Sequence, residues 1–314
     1  MIHRRQLYLS VFSLVLLSLS VNLEAQPAAE GVPAEQQAEA YRLFMLGRFL
    51  EDEGDADGAI RSFREAAELD IHSGEPLAEL ASLFSRARRR EEAVTAARSA
   101  LEREPVNLTA HRILGLIYSS IANDQDGTIA DATEAITHLE QARGTLLPDL
   151  QVELTLARLY LIAERSPDAI ELLEALQQRG LGSGQSVLLL SHAYEQVGRG
   201  EDALTVIEAA VTNGQPSFRM YERLGELYAR QQRWDDAVVA FRRAVSRNVR
   251  SASVRRRLAN ALVSSGDPSS ARDVLRDLLE MRPRDARALG LLSDVELSLN
   301  NFQAAENVAR QLIE

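Results

Sequence analysis

Apolar residues fall along this chain in paired stripes of helical period. Leu224, Leu227 and Tyr228 are spaced i, i+3, i+4; a polar turn follows, and Ala237, Phe241 and Ala244 make a second stripe. That spacing puts each set on one side of an α-helix. The arrangement recurs. The small residue of the second stripe stands at Ala59, Ala93, Ala135, Ala169, Ala203, Ala237, Ala271 and Ala305. Every interval is 34 residues except Ala93 to Ala135, which is 42, or 34 plus an insertion of 8. Thirteen positions earlier, allowing for the insertion, stands a leucine: Leu46, Leu80, Leu114, Leu156, Leu190, Leu224, Leu258 and Leu292. The next residue is always small: Gly47, Ala81, Gly115, Ala157, Ser191, Gly225, Ala259 and Ser293. Small residues let two antiparallel helices approach, and the large ones fill the groove of the next pair. Pro105, Pro148, Gly180 to Gly184, Gly214 with Pro216, and Pro283 punctuate the ends of the units. One such hairpin cannot bury its apolar face alone, whereas a stack can.

The order Leu-Gly-x-x-Tyr, then Ala, Phe and Ala, resembles the tetratricopeptide repeat. Leu224, Gly225, Tyr228, Ala237, Phe241 and Ala244 carry the whole pattern, and Leu114, Gly115 and Tyr118 match its first helix. The resemblance spans residues 40–314 as eight repeats starting near 40, 74, 108, 150, 184, 218, 252 and 286. It implies an all-α fold, a right-handed superhelical α-solenoid of about eight helix-turn-helix repeats. Two features depart from the pattern. Eight full repeats plus the insertion would reach residue 319, whereas the sequence given stops at 314, with no polar capping helix after the last repeat. Glu296 also stands in the column that holds Tyr, Phe or Leu elsewhere. The expectation is that another molecule, or a further domain beyond residue 314, covers that end; the alternative is that the last repeat is itself an atypical cap.

Residues 1–25 read differently. Arg4 and Arg5 precede an unbroken apolar-and-Ser run from Leu7 to Val21, and Leu23-Glu24-Ala25 ends on a small residue before Gln26-Pro27. This is the layout of a signal peptide, and the run is shorter than the roughly 20 residues of a bilayer span. An uncleaved N-terminal anchor is the alternative, and only then is a membrane a partner. Residues 26–39, rich in Ala, Pro, Gln and Glu, read as a flexible linker. An exported protein, periplasmic or secreted, is expected.

Composition removes several chemistries. With Cys 0, disulfides, thiolate metal sites and a thiol nucleophile are absent. The sequence has no Lys, so all 35 Lys+Arg residues are Arg and Schiff-base or P-loop lysine chemistry is unavailable. Gly180, Gly182 and Gly184 form a GxGxG string, but no strand precedes it, so it reads as a turn. His3, His72, His111, His138 and His192 make no HExxH pair or readable triad. No enzyme activity and no cofactor are expected.

Tetratricopeptide arrays hold extended or helical peptides on the concave face of their first helices. In this register the resemblance assigns to that face Arg112, Leu116, Leu154, Arg158, Leu161, Leu188, His192, Glu195, Arg219, Glu222, Glu226, Arg256 and Asn260. An apolar middle of Leu154 and Leu161 suits a few anchoring side chains; the plainer alternative is that both leucines pack against neighbouring helices. Some members grip a C-terminal carboxylate with basic and Asn residues on consecutive first helices. Arg256 and Asn260 match half of that clamp, and Asp294 stands where it needs Asn. The expected function is a non-catalytic scaffold for a protein or peptide partner. The resemblance suggests envelope assembly, polysaccharide export or secretion as its setting, and the alternative is the targeting arm of a larger enzyme or transporter.

Charge is uneven. Residues 26–217 carry 16 Arg against 32 acids, net −16, whereas residues 218–294 carry 16 Arg against 10 acids, net +6. Arg242, Arg243, Arg247, Arg250, Arg255, Arg256 and Arg257 gather at the junction of repeats six and seven. They suggest either an anionic polymer as partner or a solvated face paired with local acids such as Asp235 and Asp236. Export argues against nucleic acid. The insertion places Asp124 and Asp126 before Gly127, a fragment of a calcium loop that fails at Ala122 and Thr133, where the end ligands belong.

Overall fold

A computed structural model describes residues 32–143, 149–214 and 216–312. Among them are helices and no strand, in eight consecutive pairs. The pairs are α1 (Ala34–Asp52) with α2 (Ala56–Leu69), α3 (Glu75–Arg86) with α4 (Arg90–Arg103), and α5 (Leu108–Ala122) with α6 (Ile129–Ala142). Then come α7 (Leu150–Ile162) with α8 (Ser166–Gln178), α9 (Gly184–Gln196) with α10 (Gly200–Asn213), and α11 (Phe218–Arg230) with α12 (Trp234–Arg247). The last are α13 (Ala252–Ser264) with α14 (Pro268–Met281), and α15 (Ala286–Ser298) with α16 (Phe302–Gln311). Each first helix packs on its own second helix, and each second helix packs on the next first helix. The result is an α-solenoid. The expected signal segment lies outside the described residues, as do residues 26–31 of the expected linker. The linker's other end needs correction: α1 starts at Ala34, because Ala34, Glu35, Gln36 and Gln37 are good helix formers behind Pro33. Gln36 Nε2 donates to Leu69 O at 2.8 Å, tying this extension to the end of α2.

The columns of small residues have a direct cause. A Cβ on Gly225 would lie 2.6 Å from Cε1 of Phe241, and one on Gly47 would lie 2.7 Å from the Phe63 ring. Phe63 and Phe241 are buried on the partner helix, so the ring takes the space a side chain would need. At Gly115 the side chain of Leu139 takes that space, 2.6 Å from where a Cβ would lie; where Leu173 or Ala97 stands in the same register, the column holds Ala157 or Ala81.

The turn inside a pair is equally regular. One residue takes the left-handed conformation, Gly198 at φ 79° or, in the same place, Gln232 at φ 59°. Gln232 N then donates to Ala229 O (3.0 Å) and Arg233 N to Tyr228 O (2.9 Å), the crossed pair that closes a helix C-terminus. Arg88, Glu164 and Asn300 adopt that backbone too. Following the turn, an arginine folds over the ring five residues earlier: Arg89 on Phe84, Arg165 on Tyr160, Arg199 on Tyr194 and Arg233 on Tyr228, all at 4.3–4.6 Å. Leu50 and Leu262 offer no ring, and the fifth residue after each is the helix-capping Asp55 or Asp267.

The tyrosine column also reaches backwards. Tyr160, Tyr194 and Tyr228 donate to Glu140, Glu174 and Glu208 on the preceding helix at 2.7, 2.5 and 2.6 Å. Burial, then the glutamate, raises all three phenols, Tyr194 and Tyr228 to about 12. Glu296 is the same contact with roles exchanged: at 1% exposure it accepts from Arg276 Nη2 and Asn301 Nδ2, each at 2.7 Å. Its departure from the column is therefore a satisfied buried ion pair. On the outer side of α16, Glu306 pairs with Arg310 at 2.6 Å, where inner repeats turn Ile136, Ile170 or Leu204 toward the next helix. Phe302, in register with Trp234, and Leu312 are exposed on the same last helix.

Candidate partner-binding surface

First helices touch one another along much of the array, α3 with α5, α5 with α7 and α7 with α9. At α11 this changes. The hydrophobic core divides there, Leu224 and Leu227 joining the N-terminal part while Tyr221 joins the C-terminal part. Two arginines stand at the division. Arg223 and Arg257 occupy a position that holds Met45, Ile113, Leu189 or Leu291 in some repeats and Glu79 or Thr155 in others. Arg223 donates to Ser191 Oγ (3.1 Å) and to Glu195 (2.8 Å), and Arg230 also holds Glu195 at 2.7 Å. Arg257 bridges Glu222, at 2.8 Å, and Glu226. Arg223 is largely buried against Ser191 and Glu195 and α9 still touches α11, whereas Arg257 is exposed between α11 and α13; an open polar cleft runs along these three helices.

The cleft has two parts. One, of about 350 Å³, lies between α9 and α11 with Leu188, His192 and Arg219 on its walls. The other, of about 360 Å³, lies between α11 and α13, beside Trp234, Arg257 and Asn260. Burial raises the Glu222 carboxyl above its ordinary value against the pull of Arg257, and Glu226 adds to the rise. Burial also holds His192 below its ordinary value, with Arg223 acting in the same direction. Arg219 is exposed and pairs with no carboxylate among the described residues. The arrangement offers fixed donors and carboxylates to a polar chain, with Leu188 and Trp234 as apolar contacts.

A tetratricopeptide-repeat family model matches residues 79–119, 188–253 and 256–314, and a second one matches residues 40–70. The chain belongs to the tetratricopeptide repeat family. Among solved structures, a tetratricopeptide repeat protein from Parabacteroides merdae is 13% identical, with a TM-score of 0.51 over 82% of this chain and 99% of that one. Structures named MamA are also similar: one from AMB-1 is 21% identical over 52% of this chain and 86% of that one, TM-score 0.45. Another is 16% identical over 52% and 90%, TM-score 0.48. These identities speak for the fold alone. No curated protein matches the chain.

Within this tetratricopeptide array the expected surface is only partly brought together. Leu188, His192, Glu195, Arg219, Glu222, Glu226 and Asn260 do line the cleft. Leu154 and Leu161 do not form an open apolar groove. Both are 7% exposed, because α5, α7 and α9 close on one another there. Leu116 and Arg158 are half-buried beside them, and Arg112 is exposed. The half-clamp fails as well: Arg256 turns to Asp285 at 2.5 Å, leaving Asn260 alone in the cleft. Nor are the seven arginines one patch. Arg255 is buried and donates to Val249 O, Arg257 faces the cleft, and Arg247 donates to Pro216 O. Arg242, Arg243 and Arg250 are exposed. Successive residues on a helix point about 100° apart, which scatters Arg255, Arg256 and Arg257.

Among the described residues no three His, Cys, Asp or Glu side chains gather as a metal site. Asp131 beyond the insertion caps α6, accepting from Thr128 N at 2.9 Å. The GxGxG string turns the chain between α8 and α9, with Gly180 at φ 72°. Among the described residues no helix is long and apolar enough to cross a membrane. Sequence reading passed over Arg223, Arg230 and Trp234; the Arg223 column also holds Glu79, Thr155 and Arg257, so the sequence carried no clear signal for it. It also missed that His111 and His138 meet, Nδ1 to Nδ1 at 2.9 Å. His111 Nε2 donates to Pro105 O, so its Nδ1 accepts the His138 proton.

Proposed function

We propose that this chain is a non-catalytic scaffold that holds a polypeptide partner in the polar cleft of α9, α11 and α13. Tetratricopeptide repeats bind protein partners generally. The observation that carries the assignment is the opening of the array at Arg223 and Arg257, which leaves prearranged donors and carboxylates facing solvent. A partner whose own acidic side chains reach Arg219 fits this surface, since that guanidinium has no carboxylate of its own among the described residues. Export through residues 1–25, supported by Arg4, Arg5 and the run from Leu7 to Val21, belongs to the same proposal, with envelope assembly, polysaccharide export or secretion as the setting.

The test is capture from the native envelope by the full chain, compared with Arg219→Glu combined with Asn260→Glu. Both positions are on the cleft wall, so helix content should be unchanged by circular dichroism. A partner held by the wild type should be lost from the variant. Equal capture by both folded proteins would refute the cleft. N-terminal sequencing of the exported protein should begin near Gln26; a start at Met1 would instead support the anchor.

A further inference from the structure

In most first helices of this array the same four positions pack toward the preceding repeat, Arg257, which faces the cleft, being an exception. In α5 they are Ala110, Ile113, Leu114 and Ile117, all buried under α4. In α1 the same positions hold Arg42, Met45, Leu46 and Phe49, and the three apolar ones are 48%, 36% and 59% exposed. The outer side of α1 is therefore an apolar strip in the register that the preceding repeat covers elsewhere.

We propose that this strip is a docking site for an amphipathic helix of a partner polypeptide, one with basic residues at both ends of its apolar stripe. The register supplies the shape of the occupant, because amphipathic second helices cover the equivalent strip in most of the array. Charge supplies the rest. By helical spacing Glu35 lies on the strip's line toward its N-terminal end, and Asp52 and Glu53 stand at its C-terminal end. Arg42 in the middle is already taken by Glu39, at 2.6 and 2.8 Å. A basic residue at each end of the incoming helix meets an acid; an acidic one is repelled. A second copy fits poorly, since laying α1 on its twin puts acid against acid in either direction. The run from Leu7 to Val21 has arginine before it, at Arg4 and Arg5, but Glu24 after it, so it lacks the second basic end.

The test uses the full chain and two labelled helical peptides of about five turns. They share one apolar stripe; one carries arginine at both ends and the other glutamate. Fluorescence anisotropy should show the arginine peptide binding and the glutamate peptide at least about tenfold weaker. Met45→Glu with Phe49→Glu should weaken the arginine peptide at least about tenfold with helix content unchanged, since both side chains face solvent. Glu35→Gln with Glu53→Gln should weaken it severalfold while leaving the apolar strip intact. Equal binding of both peptides, no binding of either, or unchanged binding by the Met45/Phe49 variant overturns the proposal. So does a dimer that the same variant dissociates in sedimentation, which would give the strip to a second copy. A crosslink from a photoreactive side chain at position 46 to residues 7–21 would give it to the chain's own N-terminus, and overturns it likewise.

Discussion

Gly225→Ala decides whether the small-residue column works as described. Two opposed effects meet at this site. Glycine inside a helix costs about 1 kcal/mol relative to alanine, so on propensity alone the substitution stabilises α11. The added Cβ, however, would sit 2.6, 2.7 and 2.9 Å from three atoms of the buried Phe241 ring. Overpacking of that kind costs about 1–3 kcal/mol, because the ring must leave its rotamer or the helices must part. Phe241 is 2% exposed and has little room to move, so the clash should win and destabilise by about 1 kcal/mol net. In a Phe241→Leu background the sign should reverse. Repeat four holds Ala157 and Leu173, both buried, at these two positions, whereas repeat three keeps Gly115 beside Leu139, so the reversal requires the introduced leucine to take the repeat-four arrangement. There Gly225→Ala should recover the propensity gain of about 1 kcal/mol, giving a coupling of about 2 kcal/mol. The assay is urea unfolding of all four proteins, with far-ultraviolet circular dichroism and Trp234 fluorescence recorded together, because a repeat array need not unfold in one step. Additive effects, or a stabilising Gly225→Ala beside the intact ring, would refute the steric account of the column.

Gln232→Gly should stabilise the array by about 0.5–1 kcal/mol, since the turn holds Gln232 at φ 59°, where an L-residue is strained and glycine is not; thermal unfolding reads this, and a loss of stability would contradict it. Tyr194→Phe should cost about 1 kcal/mol by leaving Glu174 without its phenol donor, measured by urea titration. The paired imidazoles predict acid sensitivity. Burial, then the neighbouring His111, holds His138 below its ordinary value, with Arg98 acting the same way and Glu134 opposing. A depressed histidine is neutral in the fold while the unfolded chain takes up protons near pH 6.5, so stability is full above that pH and falls as pH drops through the window below it. His111→Leu with His138→Leu, which installs the apolar pair other repeats use, should flatten the decline between pH 7 and pH 5. An unchanged slope would assign it elsewhere, His192 being the next candidate, since burial depresses it too.

The fold was legible because repetition multiplies a weak signal. A single small residue thirteen positions after a leucine means little, but the same spacing from Leu46–Ala59 to Leu292–Ala305 fixes helix pairing, direction and register together. The position of the insertion followed from the same arithmetic. What the columns could not give was the distance between first helices. Leu154 and Leu188 occupy the same place in their repeats, yet one is buried and the other lines the cleft. The difference arises from how closely α7 sits to its neighbours, which depends on side chains a full repeat away. Likewise Arg255, Arg256 and Arg257 are a cluster in the sequence and three separate contacts in space, sorted by helical rotation and by acids such as Glu222 and Asp285 on other repeats. Sequence by itself determined the unit and its repetition, because these rest on local periodicity. Tertiary structure decided which faces stay open, because exposure belongs to the stack and not to any one repeat.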